Sequence, residues 1–355
     1  MRARRPLHGG VRTRMVSAFA LVAAYCATTV LSVGALAAQP AGRAPIAPSA
    51  ARSVVIAYGR RLSAAAVADN AAVAEALSMG PAAAALGAEF HLAHAYGGRY
   101  LRAFRQPMGA FRGVRVAIPA AAARGPRYFL AIAHGALFAN KTPGAMLFEQ
   151  AAAGAPWRLA YGLPLASGTS LPAVDARPGA PIRGVAVLGP GGRSALPAIV
   201  AGTLNESMNA ASSEACPGPV PGNEKYFTLT GLFGQLVSSE RANCQALHRA
   251  RVGLSYTWYT TAWPAVSLPT RGGAITLFAL TQDATESPPG SDPSLGCPRA
   301  PNPCDVFLSP KGRYPELVYV SVYQFAVVTG PERRGSQPVR LVGLSNQVTD
   351  VTSGG

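Results

Sequence analysis

His91 and His94 stand three residues apart in the stretch EFHLAH. On a helix that spacing puts both rings on one face, as a two-histidine metal site requires. The set lacks a third ligand, because Glu89 points elsewhere by its spacing. The other reading is a pair of structural histidines. No H-E-x-x-H accompanies them, and neither G-x-S-x-G nor an S-x-x-K with partners offers a serine nucleophile. Gly189-Pro190-Gly191-Gly192 resembles a phosphate loop but lacks its Lys and Ser/Thr. Asp283, Glu286, Asp292 and Asp305 are interrupted by prolines, whereas a calcium loop spaces its acids at alternate positions. No cofactor or metal is expected.

Aromatic side chains form the larger chemical set. Tyr256, Trp258, Tyr259, Trp263, Phe278, Tyr319, Tyr323 and Phe325 fall on predicted strands or adjoining turns. Of these, Tyr256, Trp258 and Tyr323 are candidates to line a ligand pocket. The alternative is sheet core, where aromatics are enriched anyway.

Four cysteines follow the N-terminal segment: Cys216, Cys244, Cys297 and Cys304. An even number in an exported chain reads as two disulfides. Three pairings are possible, and sequence proximity favours Cys216–Cys244 and Cys297–Cys304. The spacing does not suit zinc.

Export itself is read from the first 38 residues. Arg2, Arg4, Arg5, Arg12 and Arg14 precede 24 uncharged residues, 15–38. Ala35-Leu36-Ala37 supplies a cleavage site. The apolar run is also long enough to span a bilayer, so a retained anchor stands beside a cleaved signal. Either outcome places the rest of the chain outside the cytoplasm. The formal net charge is +16. Removal of those five arginines leaves +11. The remaining basic residues are scattered and not interleaved with aromatics, so no nucleic-acid groove is expected. With 49% hydrophobic and 14% charged residues, the chain can bury a core.

The elements that would position these residues come in two similar halves. Residues 39–49 read as a linker. Helices follow over about 50–97, with Asp69 or Asn70 as a cap and Gly80-Pro81 as a break. From Arg112 the apolar period changes to two, and about four strands run to residue 165. A Pro/Gly-rich linker covers 166–193, with one short strand possible at 184–188. The second half, 194–352, opens with helices near 194–211 and 229–251. Strands follow, broken by a polar insertion at 281–312. With no helix predicted after Arg251, they must form an antiparallel sheet.

The APWRLAY strand, then GAITLFAL, ELVYVSVYQFAVV and VRLVGLSNQVTDV, resemble tandem nuclear-transport-factor-2-like (cystatin-like) modules, as in exported actinobacterial proteins of unknown function. The resemblance implies an α+β fold of two tandem modules behind an N-terminal signal or anchor helix. Each module would wrap helices in a curved, cone-like antiparallel sheet, with an apolar pocket possible inside. No catalytic residue comes with it. The expected protein is a non-enzymatic cell-envelope module, secreted or tethered through residues 15–38. Its partner would be an unknown envelope protein or an apolar ligand. The alternative is an exported enzyme or small apolar-ligand carrier that uses a cone pocket.

Overall fold

A computed structural model describes residues 44–105, 111–120, 125–135, 142–174, 195–209, 231–270, 272–288, 290, 294–298, 302–308, 311–330 and 339–354. The expected signal or anchor, Cys216 and the strand expected at 184–188 lie outside the described residues.

The first half begins with α1 (Pro48–Val67), which buries Ala51, Val55, Tyr58, Leu62 and Ala65 at helical spacing. Its start falls inside the expected linker, because Pro48 has a φ already suited to the first turn. The Asn70 side chain caps α2 (Ala71–Ala76) by accepting the Val73 N–H at 3.1 Å. This helix stops short of the Gly80-Pro81 break expected to end it. Residues 77–79 hydrogen-bond to a strand instead. Then come α3 (Gly80–Tyr96), with its expected proline at the start, and an additional helix, α4 (Gly98–Phe104). The strands β1 (Arg112–Ala117), β2 (Arg127–His134), β3 (Gly144–Gln150) and β4 (Arg158–Pro164) make an antiparallel meander in chain order.

The second half repeats helices before strands. Its helices are α5 (Ala195–Asn209) and α6 (Leu232–Arg249). Its main strands are β5 (Gly253–Thr260), β6 (Val266–Thr270), β7 (Gly273–Ser287), β10 (Leu317–Thr329) and β11 (Val339–Ser353), ordered β11-β10-β7-β5 with β6 also on β7. Between β7 and β10 lie β8 (Leu295–Gly296), the short helix α7 (Pro303–Phe307) and β9 (Arg313–Tyr314).

Two expectations are corrected here. The insertion does not begin at Thr281, because β7 continues to Ser287. There Thr281 pairs with Tyr259 on one side and Val322 on the other. Two flanking strands satisfy the backbone of this polar stretch, so it stays in the sheet. A helix, α7, does follow Arg251, capped by the Asn302 side chain.

The central strands of both sheets are buried on both faces. In the first, Phe129, Ala131, Met146 and Phe148 face α1–α4. Their alternates Tyr128, Leu130, Ala145 and Leu147 meet Leu268, Leu277, Ala279, Val322 and Ala326 of the second sheet. The second sheet turns Phe278, Leu280, Tyr323 and Phe325 toward α5 and α6. The result is four layers, helix–sheet–sheet–helix, and Gln39–Gly355 forms one compact unit. The edges β4 and β11 meet at a seam, where the Ala166 N–H donates to the Val342 carbonyl at 2.9 Å. Gly343 permits that approach. A Cβ there would stand 2.6 Å from Leu163 Cδ1 and 2.9 Å from the Pro164 carbonyl.

Candidate functional site

The two histidines do not converge. The exposed His91 ring packs 5.2 Å from Phe307 of α7. His94 Nδ1 lies 2.9 Å from Asp69 Oδ2, which also accepts from Arg105 Nη2 at 2.8 Å. These two donors hold the Asp69 carboxyl below the usual range, His94 first and Arg105 second. Among the described residues no group of three His, Cys, Asp or Glu side chains could hold a metal.

Cys297 and Cys304 form a disulfide with Cα atoms 5.5 Å apart, which fastens α7 to β8. Cys244 is also disulfide-bonded. The acids of the insertion are dispersed: Asp283 accepts from the Tyr259 hydroxyl at 2.8 Å, Asp305 sits on α7, and Asp292 lies outside the described residues.

Tyr256, Trp258 and Tyr323 come together, each 2–3% exposed, between the second sheet and α5–α6. The Trp258 and Tyr323 rings stand 4.6 Å apart. Phe278 and Phe325 stack beside them at 5.0 Å, and Phe233 and Leu236 of α6 pack against the group. The Tyr323 hydroxyl donates to Glu240 Oε1 at 2.9 Å. Burial, then the Glu240 charge, pushes both tyrosines' pKa values far above the ordinary phenol value. The trio therefore packs as core. In the first half Tyr58, Phe129, Phe148 and Trp157 fill the corresponding interior with rings 4.8–5.5 Å apart.

A cavity lies instead at the seam. Glu89 of α3, Leu159 of β4, Gln324 of β10 and Ser345, Asn346 and Gln347 of β11 line a partly open cavity of about 170 Å³. Local structure fixes each wall. The Met79 N–H donates to the Leu159 carbonyl at 2.8 Å, and the Leu159 N–H donates to the Leu77 carbonyl at 3.1 Å. These bonds clamp the start of α3 on β4. Gln324 Oε1 accepts the Gly162 N–H at 2.9 Å, which joins the sheets and orients the amide. Glu89 shares the inward face of α3 with Ala82 and Leu86. Its carboxyl makes no hydrogen bond among the described residues, and burial raises its pKa above the usual carboxylate value. Ser345 Oγ is buried without a protein partner among them.

Sequence reasoning set Glu89 aside because it does not face His91 and His94. The overlooked signal is an acid on the apolar stripe Ala82, Leu86, Glu89. Gln324 carried a similar signal, as an amide inside the apolar run VSVYQFAVV.

No family model matches the chain, and no curated protein or solved structure matches it. Among the described residues no helix is long and apolar enough to cross a membrane.

Proposed function

We propose that the protein is a non-enzymatic cell-envelope binding module, exported and either secreted or tethered through residues 15–38. Its halves are NTF2-like in plan, and its ligand site is the seam cavity rather than a cone. One observation carries this reading. Buried aromatic and aliphatic side chains pack both helix–sheet interiors, while the Gln324 amide, the Glu89 carboxyl and Ser345, whose Oγ has no protein partner among the described residues, line a cavity where the sheets meet. Burial of a donor or acceptor without a partner costs about 1–3 kcal/mol. A ligand that pairs such groups stabilises the fold.

Filled interiors weigh against an apolar-ligand carrier. Acid–base catalysis would draw on Glu89, yet it is the one titratable side chain lining the cavity among the described residues. A general acid–base mechanism needs a partner group within reach of the substrate.

The test is the unfolding temperature of the purified protein and of Ala85→Trp, which blocks the cavity from α3. Small polar compounds are expected to raise the wild-type midpoint and not that of the variant. Stabilisation by apolar compounds that persists in Ala85→Trp would refute the seam site. Turnover of any compound would refute the non-enzymatic reading.

A further inference from the structure

We infer that the seam cavity takes a small uncharged molecule of the polyol or primary-amide class, held between the Gln324 amide nitrogen and the Glu89 carboxyl. The inference rests on the seam-site reading above and adds the ligand chemistry.

Gln324 sets the polarity. Its side chain is 3% exposed, and its Oε1 is committed to the Gly162 N–H. An amide has one acceptor oxygen and one NH₂ carrying two donors. With the oxygen fixed on β4, Nε2 is the group left for a ligand, and it has no protein acceptor among the described residues. Ser345 Oγ adds a buried hydroxyl that can donate or accept. Glu89 faces them from α3 with no hydrogen bond of its own.

The walls exclude other ligand classes. No Lys, Arg or His lines the cavity among the described residues, so an anion would find no counter-charge. An apolar molecule would leave the amide, the hydroxyl and the carboxyl all unpaired. A cation would pair with Glu89 but set its positive charge against the Gln324 donors. A neutral molecule with adjacent donors and acceptors pairs both the Gln324 amide and the Glu89 carboxyl. Burial favours the protonated Glu89 carboxyl, which itself donates and accepts. A volume of about 170 Å³ corresponds to roughly six waters at about 30 Å³ each, which suits a compound the size of glycerol or propionamide.

The experiment titrates the full chain with glycerol, propionamide, methylammonium and 1-butanol, followed by NMR or calorimetry between pH 5 and 8. Glycerol or propionamide is expected to bind, with affinity level or falling as pH rises. Gln324→Met is expected to weaken that binding by about tenfold or more, the value of one hydrogen bond. Glu89→Leu, which keeps neither donor nor acceptor, should weaken binding likewise. Preferred binding of methylammonium, rising with pH and lost in Glu89→Gln, would overturn the ligand class and leave the seam site standing. Preferred binding of 1-butanol would overturn it too. If none of the four binds, both the inference and the seam reading fall.

Discussion

Asp69 gathers two donors on one carboxylate oxygen and does so from a left-handed backbone, φ 54°. It thereby ties the turn after α1 to α3 and to the residue after α4. Asparagine tolerates the same φ, so Asp69→Asn removes the charge with little strain. Exposed pairs of this kind contribute about 0.5–1 kcal/mol, and Asp69→Asn should lose about that much at pH 7 in urea denaturation. The sign follows from the lowered pKa. The contribution is present above the unfolded Asp value, near 3.9, and is lost as pH falls through the lower folded value. Wild type and variant should therefore converge in acid. Glu89 runs the other way. Its raised pKa means that the folded state holds the proton longer, so stability falls as pH rises from the unfolded Glu value, near 4.3, to the folded one. Glu89→Gln should match wild type at pH 4 and exceed it in stability at pH 8, measured by urea denaturation at both. A residue that lowers stability at neutral pH and lines a cavity fits a role in binding rather than in folding.

At the scale of elements, α7 is a single turn with little helical stability of its own. Cys297–Cys304, seven residues apart, and the contact of Phe307 with His91 hold it. Closing so short a loop is worth about 2.5 kcal/mol on chain entropy. The double variant Cys297→Ser/Cys304→Ser should lose up to about that much, read from the denaturation midpoint, while the sheets persist by circular dichroism. Most elements were legible because their periods are clean. α1 repeats its apolar residues at three and four, β1 alternates, and Gly80-Pro81 marks the start of α3. The start of α1 was hidden because Ala and Pro suit a linker as well as a first turn. The end of β7 was hidden because TQDATES is polar, and only its two neighbours make it a strand. The candidate site was less legible still. Its residues come from α3, β4, β10 and β11, and no spacing along the chain brings Glu89 to Gln324.

For the whole molecule, the informative pattern was one of unbroken apolar runs. A sheet with one wet face alternates, whereas YFLAIA, AMLF, TLFAL and QFAVV carry apolar residues on both faces. They are sheets enclosed on two sides, each half covering the other. Neither half should fold alone. Residues 39–174 or 195–355 expressed separately are expected to bind a hydrophobic dye and to lack the near-ultraviolet dichroism of the intact chain. A soluble half with native-like dichroism would sink this account. The order of strands has another consequence. An open strand edge invites pairing with a second chain, and VSVYQFAVV has the β-branched and aromatic make-up that aggregates most readily. That segment is β10, paired on both sides by β7 and β11. At its other end the first sheet offers β1, which carries the exposed Arg112 and Arg115. This β-branched and aromatic segment is thus locked inside the sheet while charge guards a rim, and peeling of β11 would bare it for pairing with another chain.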